Sequence, residues 1–382
     1  MAYYYEREER IKLITMEVIV TQENLSFALN NTSRVTSTKA GLPILGNILL
    51  RTDKSRLLVA ATNLEVAASH RIGAKVTKPG SITIPARLLN EFIQNLPKEQ
   101  LTLTAKDNKL HISSSTSSST INGSPDDEFP ELPTIDDKKA VKYTITASDF
   151  KQSVSQTIIA ASGDSTRPIL TGVYWHSFEK KLYLAATDGY RLAERHITGT
   201  SSSVNAVIPT STLQEVLRTL RDETVELDVL FDETQVTFRL DEVEITSRLI
   251  DGNFPDYRQL IPAASETNFT INRTELIRVI KIASLFARES GGGIILNVDS
   301  DKNTLTINSI ASEIGENSSE IPVVSSGQAA SVSLNSRYLL DALNVMSSDE
   351  ISFGFSGKLA PCVIHEITKS PAYKHIIMPL KS

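Results

Sequence analysis

The chain repeats itself three times, and this limits its fold more than any other feature. A strand running into a helix start reads VIVTQENLSFAL from Val18, YTITASDFKQSV from Tyr143 and FTINRTELIRVI from Phe269. Leu25, Phe150 and Leu276 fall in one column, at steps of 125 and 126. A second junction reads ITIPARLLNEFI, AVIPTSTLQEVL and VSLNSRYLLDAL, aligning Leu89, Leu213 and Leu339 at steps of 124 and 126. LLVAATNLE and LYLAATDGY place Thr62 and Thr187 125 apart, and Phe129-Pro130 and Phe254-Pro255 keep the same interval. One match could be chance, but four in a single register define homologous modules. They are expected at 16–139, 140–264 and 265–382. Residues 1–15 precede the first repeat and are expected to be a mobile N-terminal extension.

Each repeat carries two helices, each introduced by a strand, with short alternating runs such as KLYLAAT and LTLTAK between them. Alternation fits strands with one buried face. Each module is therefore α+β, two helices packed on antiparallel sheet. Polar residues at the turns, such as Ser148 and Asn272, can accept bonds from the first free helix amides. The stripe Leu213, Val216, Leu217 and Leu220 reads as core packing, because a surface helix buries such a stripe.

Composition narrows the class. Hydrophobic residues make up 40% and charged residues 22% of 382 residues, which suits a globular protein with a real core. Cys362 is the only cysteine, so no intrachain disulfide forms, and a reducing, cytoplasmic setting is expected. No run of 18 apolar residues is present to make a membrane-spanning helix. The net charge of −6 argues against nucleic acid unless the charge is unevenly spread. It is uneven: windows over the six expected helices hold ten basic and six acidic residues, a net +4, leaving −10 elsewhere. Arg34, Arg87, Arg218 and Arg221 are among the ten. Cations facing phosphates attract a duplex without reading its bases.

Chemistry of other kinds finds little footing. His70, His111, His176, His196, His365 and His375 show no metal-binding spacing, so neither a metal nor a cofactor is expected. Gly291-Gly292-Gly293 lacks the Gly-Lys-Ser/Thr of a phosphate loop. Asp188 could suggest a catalytic role, but it sits inside a repeat landmark. An enzyme is therefore disfavoured.

The segments GLPILGNILL from Gly41, ATDGYRLAERHI from Ala186, DGNFPDYRQLIP from Asp251 and HIIMPL from His375 resemble the bacterial DNA polymerase III beta subunit, the beta sliding clamp. The resemblance covers residues 16–382. It implies three homologous clamp domains that form a ring as a head-to-tail dimer around double-stranded DNA, with no catalysis. It implies partners in the replicative polymerase and the clamp loader, which dock through short peptide motifs. It carries DNA contact to Lys39, Arg87 and Arg218. It carries a peptide-binding pocket to Leu170, Thr187, Gly189, Tyr190, Arg191, Leu192, Pro255, Leu260, Pro361, Ile376, Met378 and Pro379, with Tyr190 and Arg191 as hydrogen-bonding groups at the rim. It carries the dimer interface to Ser119, Ile121, Leu285 and Phe286.

This chain departs from the family pattern in places. Asp164 stands in a loop that elsewhere holds a neutral amide, and Thr210 and Ser211 replace common basic residues. Residues 113–120 are all Ser or Thr, and Ser119 takes a position often held by Phe. A weaker hold on DNA and a weaker dimer are the expected consequences. Two alternatives share these motifs in whole or part: a specialised clamp paralogue, such as a drug-tolerance copy, and a repeat-built binding protein without DNA.

Overall fold

The computed structural model describes residues 15–36, 42–200, 202–220, 225–288, 291–311, 315–368 and 372–381. Apart from Thr15, the expected N-terminal extension lies outside the described residues, as do Lys39 and Arg221.

Six α-helices fall where the repeat places them: α1 (Gln22–Thr32), α2 (Ala86–Gln94), α3 (Ala147–Ile158), α4 (Thr210–Thr219), α5 (Arg273–Phe286) and α6 (Ser336–Val345). The landmark columns are the core. Leu25, Phe150 and Leu276 have no exposed surface, nor do Leu89, Leu213 and Leu339. In α5 the buried residues Leu276, Val279, Ile280 and Ala283 follow the helical three-four spacing. Truncating Leu276 to Ala in such packing costs about 2–5 kcal/mol.

The helix starts repeat as well. Thr21, Thr146 and Asn272 accept backbone N–H bonds from Asn24, Asp149 and Glu275. These caps are spaced 125 and 126 apart, so the capping chemistry was copied along with the fold. Ser148, expected as a cap, instead lies inside the first turn of α3, because the strand ends at Thr146.

The described residues form two compact units although the sequence repeats three times. One comprises residues up to Thr144 with Gln214–Arg248, the other Ile145–Leu213 with residues from Leu249 onward. The second repeat is divided between them because its strands join sheets with both other repeats. In the first unit, an eight-stranded sheet joins Val243–Arg248 to Val66–Gly73, with Val243 opposite His70 and Ser247 opposite Val66. In the second, a nine-stranded sheet joins Arg191–Gly199 to Tyr373–Ile377, with Arg191 opposite Ile377. Both junctions follow one rule: the fourth strand of one repeat pairs antiparallel with the last strand of the next.

Two strands remain that obey no such pairing. Ser118–Asn122, the last strand of the first repeat, edges a five-stranded sheet. Gly315–Pro322, the corresponding fourth strand of the third repeat, edges a four-stranded sheet. Among the described residues no helix is long and apolar enough to cross a membrane.

Candidate functional site

The second unit holds an exposed apolar surface built around one tight turn. Strands Lys181–Thr187 and Arg191–Gly199 are joined by Asp188, Gly189 and Tyr190. The Thr187 hydroxyl donates to the Arg191 carbonyl (2.6 Å) and accepts from the Gly189 N–H (3.1 Å). Asp188 Oδ1 accepts from the N–H groups of Tyr190 (2.9 Å) and Arg191 (3.0 Å). Asp188 therefore works as a turn brace. Gly189 sits at φ +93°, a region that side chains disfavour. The turn leaves Tyr190 62% exposed.

Strand pairing brings the C-terminal segment alongside. Leu192 lies opposite Ile376, and the Met378 N–H donates to the Tyr190 carbonyl at 2.8 Å. Below the turn, Ala185, Leu192, Tyr257 and Ile376 form a buried cluster against which Tyr174, Phe254, Ile261 and Val363 pack. Above it, Leu260 is 51% exposed, Pro255 is exposed, and Pro361, Met378 and Pro379 are half-buried. Three of the four segments named from the sequence, those holding Tyr190, Leu260 and Met378, therefore meet at one surface.

The convergence sorts the expected residues into surface and support. Gly189, Tyr190, Pro255, Leu260, Pro361, Met378 and Pro379 reach solvent. Leu170, Leu192 and Ile376 do not: all three are core residues, and Leu192 and Ile376 lie in the cluster beneath the turn. Arg191 is not a free rim donor either. Its Nε reaches Asp188 Oδ2 (3.1 Å), its Nη1 reaches Asp341 Oδ2 (2.6 Å), and its guanidinium lies 4.4 Å over the Tyr338 ring. It ties the turn to α6. Asp341 and Tyr338 were not singled out from the sequence, although their i,i+3 spacing places them on one helix face.

Beneath the turn also lies a polar chain whose members no spacing along the sequence linked. Tyr174 stacks on Phe254 (4.8 Å) and on His176 (4.6 Å). The Tyr257 hydroxyl donates to Glu194 Oε2 (2.6 Å) and lies 2.7 Å from His176 Nε2. Arg258 pairs with Glu194 (3.4 Å) and lies 3.8 Å over the Phe178 ring. Burial, reinforced by Arg258, pushes His176 down to about 4. Burial and then the neighbouring Glu194 carboxylate push the Tyr257 hydroxyl up. At neutral pH both rings are uncharged, as an apolar floor requires.

Models of the DNA polymerase III beta subunit match this chain in three consecutive pieces: the N-terminal domain over residues 16–133, the central domain over 144–256 and the C-terminal domain over 258–381. This chain belongs to the DNA polymerase III beta subunit family. A beta sliding clamp of Synechococcus elongatus is 28% identical over 375 residues, covering 96% of this chain and 99% of that protein. The DNA polymerase sliding clamp of Bacillus subtilis is 29% identical in structure-based comparison, with a TM-score of 0.91 over 96% of this chain and 99% of that one. A sliding clamp (DNA polymerase III subunit beta) of Bartonella birtlesii, solved bound to griselimycin, is 27% identical, with a TM-score of 0.90, covering 96% and 100%. The chain is thus a sliding clamp of three clamp domains, a non-catalytic processivity subunit of the polymerase.

The basic character expected of the clamp helices is smaller than the sequence windows indicated. Within the observed helices there are seven basic and six acidic residues. Arg34 lies in a short 3-10 turn after α1, and Arg288 lies just past α5. Arg87 is largely exposed but pairs with Glu91 one turn on (2.8 Å), and Arg218 pairs with Glu215. Both pairings offset part of the positive charge on these helices.

The residues expected at the beta-subunit dimer interface divide similarly. Leu285 is 53% exposed on α5, and Phe286 beside it is half-buried. Ser119 is half-buried on the edge strand. Ile121 belongs to the first unit's core with Leu110 and Ile112, so it anchors that strand from inside.

Proposed function

We propose that two copies of this chain close head to tail into a ring around duplex DNA, and that the ring tethers the replicative polymerase by a short peptide seated on the Tyr190–Leu260–Met378 surface. The strand-pairing rule carries the reading. It is used twice within the chain, and it leaves one fourth strand, Gly315–Pro322, and one last strand, Ser118–Asn122, each with one open edge. Open sheet edges invite pairing, and closure removes them. A second copy supplies the missing partner for each. The free edge of the third repeat is bordered by exposed apolar groups, Ile310 at 61% and Leu285 at 53%, which suits a buried contact.

Arg34, Lys39, Arg87, Arg218 and Arg221 are the cations proposed to meet phosphates. With Arg87 and Arg218 already paired, each contact is weak. Retention on DNA then comes from topology, since a closed ring leaves only at an end or by opening. A separate loader opens it, and both loader and polymerase dock at the same groove through apolar side chains.

The test is topological. Chain loaded on nicked circular plasmid by a bacterial clamp loader with ATP should co-elute with the plasmid at a salt concentration that disrupts simple charge contacts. Cutting the circle once should release it. Equal retention on circular and linear DNA would refute encirclement.

A further inference from the structure

The repeat that builds the Tyr190 groove builds a second one in the first unit. A cavity of about 130 Å³ lies beside the turn joining Arg56–Thr62 to Val66–Gly73. Its turn has the same wiring. The Thr62 hydroxyl donates to the Val66 carbonyl and accepts from the Leu64 N–H, while Asn63 Oδ1 accepts from Glu65 and Val66 N–H. Thr187, Gly189 and Asp188 do this in the second unit.

The rest of the wall corresponds by strand register. Ser247 lies opposite Val66 as Ile377 lies opposite Arg191, which equates Arg248 with Met378. Gln235 lies opposite Arg248 and Cys362 opposite Ile377, which equates Gln235 with Pro361. Pro130 lines the cavity where Pro255 borders the groove.

The backbone frame is shared but the chemistry is changed. The exposed tip is Glu65 in place of Tyr190, and Glu131 stands in place of Asp256. Glu65 and Glu131 are exposed, and neither pairs with a cation among the described residues. Leu64, Val66, Ala67, Pro130 and Pro133 supply the apolar part of the lining. The size approaches that of the roughly 150 Å³ apolar cavity that admits a benzene-sized ligand, so one side chain fits and two do not.

We infer that this cavity is a second peptide-docking site of the clamp, selective for an extended peptide that presents a lysine or arginine beside one small apolar side chain. The apolar side chain fills the cavity. The cation meets the exposed Glu65 and Glu131 carboxylates at the rim. Arg248, exposed and paired with no carboxylate among the described residues, faces the peptide backbone carbonyls. The inference rests on reading the Tyr190 surface as a peptide groove, and it adds a class of partner that surface does not select. A clamp with two chemically distinct grooves per chain could hold an apolar-motif partner and a basic-motif partner together.

The test uses the full chain and fluorescein-labelled hexapeptides identical except at one position, where Lys, Arg, Gln or Glu stands beside Val. Binding is read by polarisation and by methyl NMR shifts at Val66 and Ala67. The Lys and Arg peptides should bind at least tenfold more tightly than the Glu peptide. Glu65→Lys with Glu131→Lys should remove that preference, and Tyr190→Ala should leave it intact. An apolar peptide lost on Tyr190→Ala but not on the double charge reversal tests the first groove separately. Basic peptides that shift only second-unit resonances, ignore the charge reversal, or fail to bind at millimolar concentration would overturn the inference.

Discussion

Arg191 Nη1 lies 2.6 Å from Asp341 Oδ2, joining the turn that carries Tyr190 to helix α6. The Arg191 side chain is only 10% exposed, so this pair is little screened by solvent. Losing Arg191 leaves Asp341 without its cation, while losing Asp341 leaves Arg191 held by Asp188 alone. Arg191→Ala and Asp341→Ala are each expected to lower stability by about 1–3 kcal/mol. The double variant should cost less than the sum of the two, with a coupling of about 0.5–3 kcal/mol. Urea unfolding followed through Trp175 measures this, because that residue is the only tryptophan and is fully buried in the same unit. Strict additivity would show that the two side chains act independently.

The two equivalent turns differ at one strained position. Gly189 holds φ +93°, while its counterpart Leu64 holds φ +75° with its side chain 47% exposed. Left-handed backbone costs a branched side chain about 1–2 kcal/mol. Glycine relieves that strain but raises the entropy of the unfolded chain by about 0.5–1 kcal/mol. Leu64→Gly is therefore expected to be neutral or stabilising by up to about 1 kcal/mol. Gly189→Leu should destabilise by about 1–2 kcal/mol or more. Thermal shifts of opposite or clearly unequal size in the two variants check the assignment, and equal losses would contradict it.

The sequence made the modules legible because their markers are core positions. Leu25, Phe150 and Leu276 repeat since each fills the same space under the same helix. It also made the groove segments legible, through the family resemblance. It did not reveal that Leu192 and Ile376 lie under the groove and Tyr190 on it, because alternation along a strand leaves open which face a neighbouring repeat covers. It overstated the helix charge because Arg34 and Arg288 lie just beyond helix ends, where a few residues of boundary error change the balance. It gave no sign that three repeats would make two compact units, since strand pairing between repeats is non-local.

Acid should weaken the second unit through its buried histidines. Burial and Arg258 hold His176 at about 4, and burial followed by Arg191 holds His375 at about 3. In the unfolded chain both titrate near 6.5. Between 6.5 and 4 the unfolded state binds protons that the fold refuses, so stability falls as pH falls through that window. For His176 the full shift is worth roughly 3 kcal/mol. The urea midpoint read at Trp175 should drop from pH 7 to pH 4, and His176→Gln should flatten the slope. A midpoint independent of pH, or a variant as pH-sensitive as the parent, would remove the histidines from the account.

The ring closure is expected to be weak for a physical reason on the edge strand. Ser119 stands where the family resemblance places a Phe, and Ile121, the apolar residue nearest to it on that strand, is committed to the core of its own unit. In the proposed ring, the contact across the edge is left to the backbone pairing of Ser118–Asn122 and to Leu285 and Phe286 of the second copy. An absent buried ring is worth about 3–5 kcal/mol where nothing refills its space. Each roughly 1.4 kcal/mol is tenfold in dissociation constant. Sedimentation equilibrium should therefore show dimer dissociating at concentrations where a Ser119→Phe variant remains dimeric, with at least a tenfold difference between them. Leu285→Ala should weaken the parent further. A parent dimer that persists at nanomolar concentration, or a Ser119→Phe chain no tighter than the parent, would show that another contact closes the ring.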